Sequence, residues 1–329
     1  MRKQQRTPRN WTKTEYSDIV RMKQTDHFTW TYIAEIVNDT VENTIAAYRR
    51  AVGAKHGAYK NAAYSNEPAM HTTLENPKIA VLDIETLPMI VFSWGLFDQN
   101  ISIEQVISDS CMLSWAGKYL NSHEAFSDVM TPKEAKQRDA SRIAKSIWEF
   151  LHKADVVIGH NFSGFDVKYI NTAFLKYGLP PLKYLIVDTF LISKHHFRFS
   201  SNKMKFINDQ LGIRNKIDND GFPLWKACSD GDEEALKTML EYNEGDIGAT
   251  EELFYRLRPY VHNFNVALYN EMETEQCPVC GSGKIHEEGI YYTPAGAWKS
   301  VRCENCKCLS RKKENLLSKW KRKSLLVNS

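Results

Sequence analysis

Ile79-Ala-Val-Leu82 is a short unbroken apolar run, and the next three residues, Asp83-Ile-Glu85, carry two carboxylates one residue apart. Alternate residues of a strand share a face, so Asp83 and Glu85 point the same way. A strand that is apolar at successive positions is covered on both faces, as a central strand of an α/β domain is, and does not suit a sheet with one face in water. Carboxylates at the tip of such a strand open onto a crevice. The stretch therefore predicts an architecture and a site together. The dipeptide spacing alone is weak, since 17 Asp and 23 Glu make about one D-x-E by chance, and Asp232-Glu-Glu234 reads as helix surface. The apolar approach to Asp83 separates the two.

The rest of the chain fits a mixed α/β domain between two smaller modules. Residues 10–53 show three short helical patterns: Trp11, Tyr16, Ile19 and Val20; Trp30, Ile33, Ala34, Ile36 and Val37; Val41, Ile45 and Tyr48. Thr12 and Thr40 are the N-cap candidates. Residues 54–77 gather Gly, Ala, Asn, Ser and His, a linker composition. Strands are predicted at 78–86, Met89–Phe97, Cys111–Ala116, Asp155–Gly159 and Tyr184–Val187. Helices are predicted at about 133–153, 164–177, 202–211, 232–241 and 246–257. The expected order is a three-helix domain at 1–53, a linker at 54–77, the α/β domain at 78–265, a cysteine module at 272–310 and a basic tail at 311–329. Of the 329 residues 43% are hydrophobic and 25% charged, values that exclude a disordered or fibrous chain. No apolar run approaches a membrane span and no secretory leader is visible, so the expected location is the cytoplasm and no membrane partner is expected.

Two further acids follow in order. Val156-Val-Ile-Gly-His-Asn-Phe-Ser-Gly-Phe-Asp166 is a strand turning through polar residues into a helix that starts with an acid, and Tyr242-Asn-Glu-Gly-Asp246 puts a tyrosine and an acid on one helical face. Asp83-x-Glu85, then His160-Asn161 with Phe165-Asp166, then Tyr242-x-x-x-Asp246 resembles the DEDD exonucleases of the ribonuclease-H-like fold. The tyrosine points to their DEDDy branch, which includes the proofreading domains of DNA polymerases. The resemblance spans about residues 78–258 and implies a mixed sheet flanked by helices that removes nucleotides from a 3′ end, releasing nucleoside monophosphates. It implies two Mg²⁺ or Mn²⁺ ions held by Asp83, Glu85, Asp166 and Asp246. Asp83 is then the bridging ligand, Glu85 and Asp246 hold the ion that carries the attacking water, Asp166 holds the second, and Tyr242 orients the water. His160 and Asn161 shape the site or touch the terminal nucleotide. Asp188 reads as a helix N-cap.

Cys277-Pro-Val-Cys280 and Cys303-Glu-Asn-Cys306 flank two strand-like runs at 290–292 and 298–301. Paired C-x-x-C turns in a reducing compartment predict one structural Zn²⁺ in a zinc ribbon, with Cys308 as a competitor of Cys306. Charge is uneven: residues 1–60 carry +5, residues 270–329 carry +4 and the middle carries −6. Basic ends around an acidic centre suit an enzyme that meets nucleic acid through cations. The first module resembles Myb-like and homeodomain-like helix-turn-helix units, which implies that its third helix, with Asn43, Thr44, Arg49 and Arg50, lies in a major groove. The order of modules looks like exonucleases of bacteriophage genomes. The ribbon fills much of the chain after Asp246, so no polymerase domain is expected here, and a DNA polymerase is a candidate partner in trans. DNA is favoured over RNA as substrate. The alternatives are an RNA exonuclease with the same site and a non-catalytic DNA-binding adaptor.

Overall fold

The computed structural model describes residues 11–24, 30–41, 43–45, 47, 48, 76–213 and 221–326. The backbone divides into two compact units, Met1–Thr73 and Leu74–Ser329. In the first, α1 (Lys13–Gln24), α2 (Trp30–Ile36) and a third helix, α3, seen at residues 41, 43–45, 47 and 48, enclose Ile19, Met22, Ile33 and Ala47. Trp11, Tyr16, Val37 and Tyr48 pack around that small core. Thr12 and Thr40 cap as the sequence predicts, their hydroxyls accepting from Glu15 N at 3.3 Å and Asn43 N at 3.2 Å. Two residues predicted to face a groove are committed elsewhere. The Thr44 hydroxyl is buried and donates to Thr40 O, and the Asn43 amide donates to Asp39 Oδ1. Arg49 and Arg50 lie outside the described residues, as do residues 51–75.

The larger unit is built on a five-stranded mixed sheet in the order β5-β4-β1-β6-β7: β1 (Ile79–Leu87), β4 (Cys111–Tyr119), β5 (Ala125–Val129), β6 (Val156–Gly159) and β7 (Leu185–Asp188). Strand β1 is central, antiparallel to β4 and parallel to β6. Both its faces are covered, as the apolar run requires. Ala80, Leu82 and Ile84 pack with Leu113, Ile143, Ile147 and Phe162, while Val81 packs with Val156, Ile158, Ile247 and Phe254 on the other side. This is the ribonuclease-H-like mixed α/β arrangement. A substitution such as Leu82→Ala removes a fully buried side chain and costs about 2–5 kcal/mol.

Four predicted elements differ from the structure. Of Met89–Phe97 only Ile90–Val91 forms a strand, β2, paired with β3 (Val106–Ser108); Phe92, Trp94, Leu96 and Phe97 stand in solvent, Trp94 at 96% exposure. Pro88 supplies no N–H to continue the ladder, and the Ser93 hydroxyl closes a turn on Gly95 O at 2.6 Å, so apolar residue type does not translate into pairing. The helix expected over 133–153 is two, α4 (Pro132–Gln137) and α5 (Ser141–Leu151). Arg138 turns left-handed between them at φ 53°, its guanidinium holding Asp109 O, Pro88 O and the Ser229 hydroxyl. Conversely, the two helices expected around Gly245 are one, α10 (Glu233–Leu257). A glycine inside a helix costs about 1 kcal/mol, which the buried face of α10 against β4 and β1 outweighs. The other helices are α6 (Asp166–Lys176), α7 (Thr189–His196), α8 (Met204–Leu211), α9 (Phe222–Ser229), which the sequence reading did not include, and a terminal α11 (Lys319–Lys323).

Beyond α10 the cysteine module folds as a three-stranded sheet of β8 (Ile285–Thr293), β9 (Gly296–Cys303) and β10 (Leu309–Asn315). Its third strand contains Arg311-Lys-Lys313, so these cations belong to the ribbon's sheet. Arg311 lies over the Trp298 ring at 4.2 Å and Lys312 bonds Glu275 and Glu287. Cys277, Val279, Cys303 and Cys308 share one core with Val81, Val156, Phe254 and Phe264, so the module is packed into the α/β unit.

Candidate active site and zinc site

β1 pairs with β6 only from Ile79 to Val81, whereas its pairing with β4 continues to Leu87. The strands therefore part just where the acids begin. Ile84 N, which has no β6 partner, donates to Asp166 Oδ1 at 3.2 Å, so the first residue of α6 closes the gap in the ladder with its carboxylate. Asp83 and Glu85 stand opposite Ala116 and Ser114 on β4, and α10 crosses that face. One carboxylate oxygen from each of Asp83, Glu85 and Asp246 lies within 4.8 Å of the others. Asp166 is not part of that trio; it meets the strand between Asp83 and Glu85 from the other helix. Tyr242 is one turn before Asp246 on α10, half-buried and edge-on to Trp225 with ring centroids 6.1 Å apart. The unbroken α10 is what puts Tyr242 and Asp246 in register.

Burial pushes the Asp166 carboxyl up to about 7; the charge of Asp188 adds to this, and the backbone N–H bonds from Asp166 itself and Ile84 oppose it. A cation beside it favours the ionised form. Asn243 is the residue the sequence reading missed. Fully buried on α10, it donates from Nδ2 to Asp83 Oδ2 at 2.8 Å and accepts at Oδ1 from the Ser114 hydroxyl at 3.1 Å, which fixes the Asp83 carboxylate on β1. The signal for it is its place beside Tyr242 on the acid-bearing helix, legible only once the helix is known to run through Gly245.

The loop between β6 and α6 is tied by Asp188, the N-cap of α7, whose carboxylate accepts from Phe190 N and Leu191 N and also from Asn161 N at 2.9 Å and Ser163 N at 3.0 Å. One buried acid thus caps a helix and holds the loop that delivers Asp166. Asn161 is left-handed at φ 61°, and a Cβ on Gly164 would come within 2.5 Å of its Oδ1, so a side chain at 164 would displace the Asn161 amide. Both nitrogens of His160 face protein: Nδ1 is 2.9 Å from the Thr189 hydroxyl and Nε2 is 2.9 Å from Asn202 O. His160 and Asn161 therefore shape this loop. Arg49 and Arg50, the other candidate substrate contacts, are outside the described residues.

Cys277, Cys280, Cys303 and Cys306 converge with all four sulfurs within 4.8 Å, including Sγ separations of 3.4 Å for Cys277 and Cys306 and 3.6 Å for Cys280 and Cys303. Tetrahedral Zn²⁺ with bonds of about 2.3 Å sets sulfurs roughly 3.8 Å apart, so the four cysteines fit the ion. Cys308 is outside the set, its sulfur lying 3.7 Å from Leu309 O and from the Ser310 hydroxyl. The three carboxylates fit a hard divalent cation, which takes oxygen ligands. No helix among the described residues is long and apolar enough to cross a membrane.

Residues 112–258 match the family model of the RNase H superfamily, a stretch that starts after the strand bearing Asp83 and Glu85. Among solved structures the chain is similar to the family B DNA polymerase from the hyperthermophilic archaeon Pyrobaculum calidifontis, with 16% identity and a TM-score of 0.42. The alignment covers 56% of this chain and 25% of the polymerase, so it spans a quarter of that protein's length. None of the curated proteins matches the chain. The family match and the fold together support a nuclease of the ribonuclease-H-like superfamily.

Proposed function

We propose that the chain is a divalent-cation-dependent 3′-5′ exonuclease of the DEDDy type that acts on DNA and releases nucleoside monophosphates. The observation that carries this reading is the convergence of Asp83, Glu85 and Asp246 within 4.8 Å, beside Asp166, where the central strand leaves its parallel neighbour. A crevice at the carboxyl ends of parallel strands is where α/β sheets bind ligands. Two Mg²⁺ or Mn²⁺ ions in such a site supply positive charge to the attacking and leaving oxygens of a phosphodiester.

The chain's own residues do the rest. Asp83, steadied by Asn243, would hold the cations together with Glu85 and Asp246, and Asp166 beside them would supply a further carboxylate ligand. Tyr242, one turn from Asp246, orients a water for in-line attack on phosphorus. His160 and Asn161 hold the loop against which the terminal nucleotide rests.

The test is a set of end-labelled DNA and RNA oligonucleotides with and without Mg²⁺. Ladders that shorten from the 3′ end, release of monophosphates, and near-complete loss in Asp83→Ala and Asp246→Asn variants of normal stability support the reading. Tyr242→Phe slows turnover less than either. Degradation of RNA alone reassigns the substrate. Unchanged substrate under all conditions, with DNA binding intact, leaves the adaptor.

A further inference from the structure

The acidic stretch of the chain, residues 61–269, contains a basic segment that the acidic site does not use. Residues 194–205, Lys-His-His-Phe-Arg-Phe-Ser-Ser-Asn-Lys-Met-Lys, carry four Lys/Arg and no Asp or Glu, inside a region whose net charge is −6. Lys194, Arg198 and Lys203 are all exposed, and among the described residues none of the three forms an ion pair. Some other surface cations of the larger unit have acidic partners: Lys118 to Glu251, Arg142 to Asp128 and Glu134, Lys299 to Glu287, Arg302 to Glu288. Here the fold leaves charge uncompensated and also holds it in place. Phe197 and Phe199 turn inward against the cluster of Ile207, Leu253 and Leu257, with Phe197 against the Tyr260 ring at 4.8 Å, and the residue between them, Arg198, is sent outward.

The far end of the stretch is stitched to both acid-bearing elements. Asn202 O meets His160 Nε2 at 2.9 Å, in the loop that delivers Asp166. The Met204 sulfur accepts from the Thr250 hydroxyl at 3.3 Å, one turn beyond Asp246 on α10. Three exposed cations, Lys194, Arg198 and Lys203, on a stretch tied to the walls of an acidic crevice fit a polyanion whose terminus lies in the crevice and whose body lies along the stretch.

We propose that Lys194, Arg198 and Lys203 form a track for the phosphate backbone of a single strand leading into the acidic site. This rests on the nuclease reading above and adds to it the path of the substrate upstream of the scissile bond. Such contacts carry no base specificity; they set affinity and its salt dependence, with a slope of about 0.7 per phosphate for single strands.

The experiment compares wild type with the triple variant Lys194→Ala/Arg198→Ala/Lys203→Ala, and with Lys194→Arg/Lys203→Arg as a charge-preserving control. Single-strand binding is measured across salt without added divalent cation, and turnover is measured on a long oligonucleotide and on a dinucleotide too short to reach the run. The expected result is a salt slope lower by about 2 in the triple variant, a raised KM on the long strand, and unchanged kcat and dinucleotide turnover, with the control like wild type. An unaltered slope and KM in a triple variant that melts normally overturns the track. If wild type binds strands but cleaves nothing, the nuclease reading fails, and a lowered slope in the variant still upholds the track.

Discussion

Replacing Asp166 by Asn should make the cation-free protein more stable while destroying its use. Burial holds this carboxyl at about 7 against an ordinary 3.8. The folded state therefore keeps a proton that the unfolded chain has released. Stability contributed by the protonated form is complete below the unfolded value and is lost as pH rises through 7. At about 1.4 kcal/mol per unit, the loss reaches about 4 kcal/mol above pH 7. Asn cannot ionise and retains an oxygen for the Ile84 N–H, so its stability lacks this slope. The assay is urea unfolding of both proteins from pH 5 to 8.5 without added divalent cation and with zinc retained. The gap in favour of Asp166→Asn should widen by about 1.4 kcal/mol per pH unit up to 7 and then level off. Added Mg²⁺ should narrow the gap by stabilising wild type more, by about 2.7 kcal/mol at one hundred times its dissociation constant. A gap that is flat with pH, or a variant less stable than wild type at pH 8, refutes the argument that this acid is held neutral by its surroundings.

Asn243→Ala leaves Asp83 Oδ2 and the Ser114 hydroxyl without their shared partner; thermal unfolding should register a loss of about 1–3 kcal/mol, and Mg²⁺ titration a weaker affinity. Cys303→Ser should release the zinc equivalent, read by metal analysis, and lower the unfolding midpoint of the whole 74–329 unit, because Cys303 and Val279 share a core with Val81 and Val156. Arg142→Ala should flatten the acid limb of stability: the Arg142 hydrogen bond holds Glu134 at about 2, so its contribution is present above 4.5 and fades as pH falls toward 2, and acid unfolding of the variant should lack that component.

Much of the fold was legible because a few stretches are constrained twice. Residues 79–85 state a central strand by their apolar run and a candidate site by their acids; the structure has the strand and brings Asp83 and Glu85 together with Asp246. The C-x-x-C pairs fix a ribbon because four thiols have one geometry that serves them all. The failures fall where local pattern and tertiary pairing disagree. Phe92, Trp94, Leu96 and Phe97 have strand composition but follow a proline and find no partner. Gly245 has the mark of a helix end, yet the sheet holds α10 straight through it. Asn243 was invisible for the same reason, since its role depends on two residues more than a hundred positions away, Ser114 and Asp83.

The same comparison explains why Asp188 and Asp166 differ although both are buried acids at the start of a helix. Asp188 accepts four backbone N–H bonds, enough to satisfy a carboxylate from within the protein, and its work is to hold the loop at 161–163. Asp166 accepts from Ile84 and lies close to a second acid, and burial leaves it short of compensation. Asp188, the N-cap of α7, is satisfied by backbone N–H groups; Asp166, the first residue of α6, carries a charge that the backbone leaves uncompensated. That difference in hydrogen bonding, and not burial, which the two share, is what makes Asp166 the candidate for a cation ligand and Asp188 the tie that holds the loop.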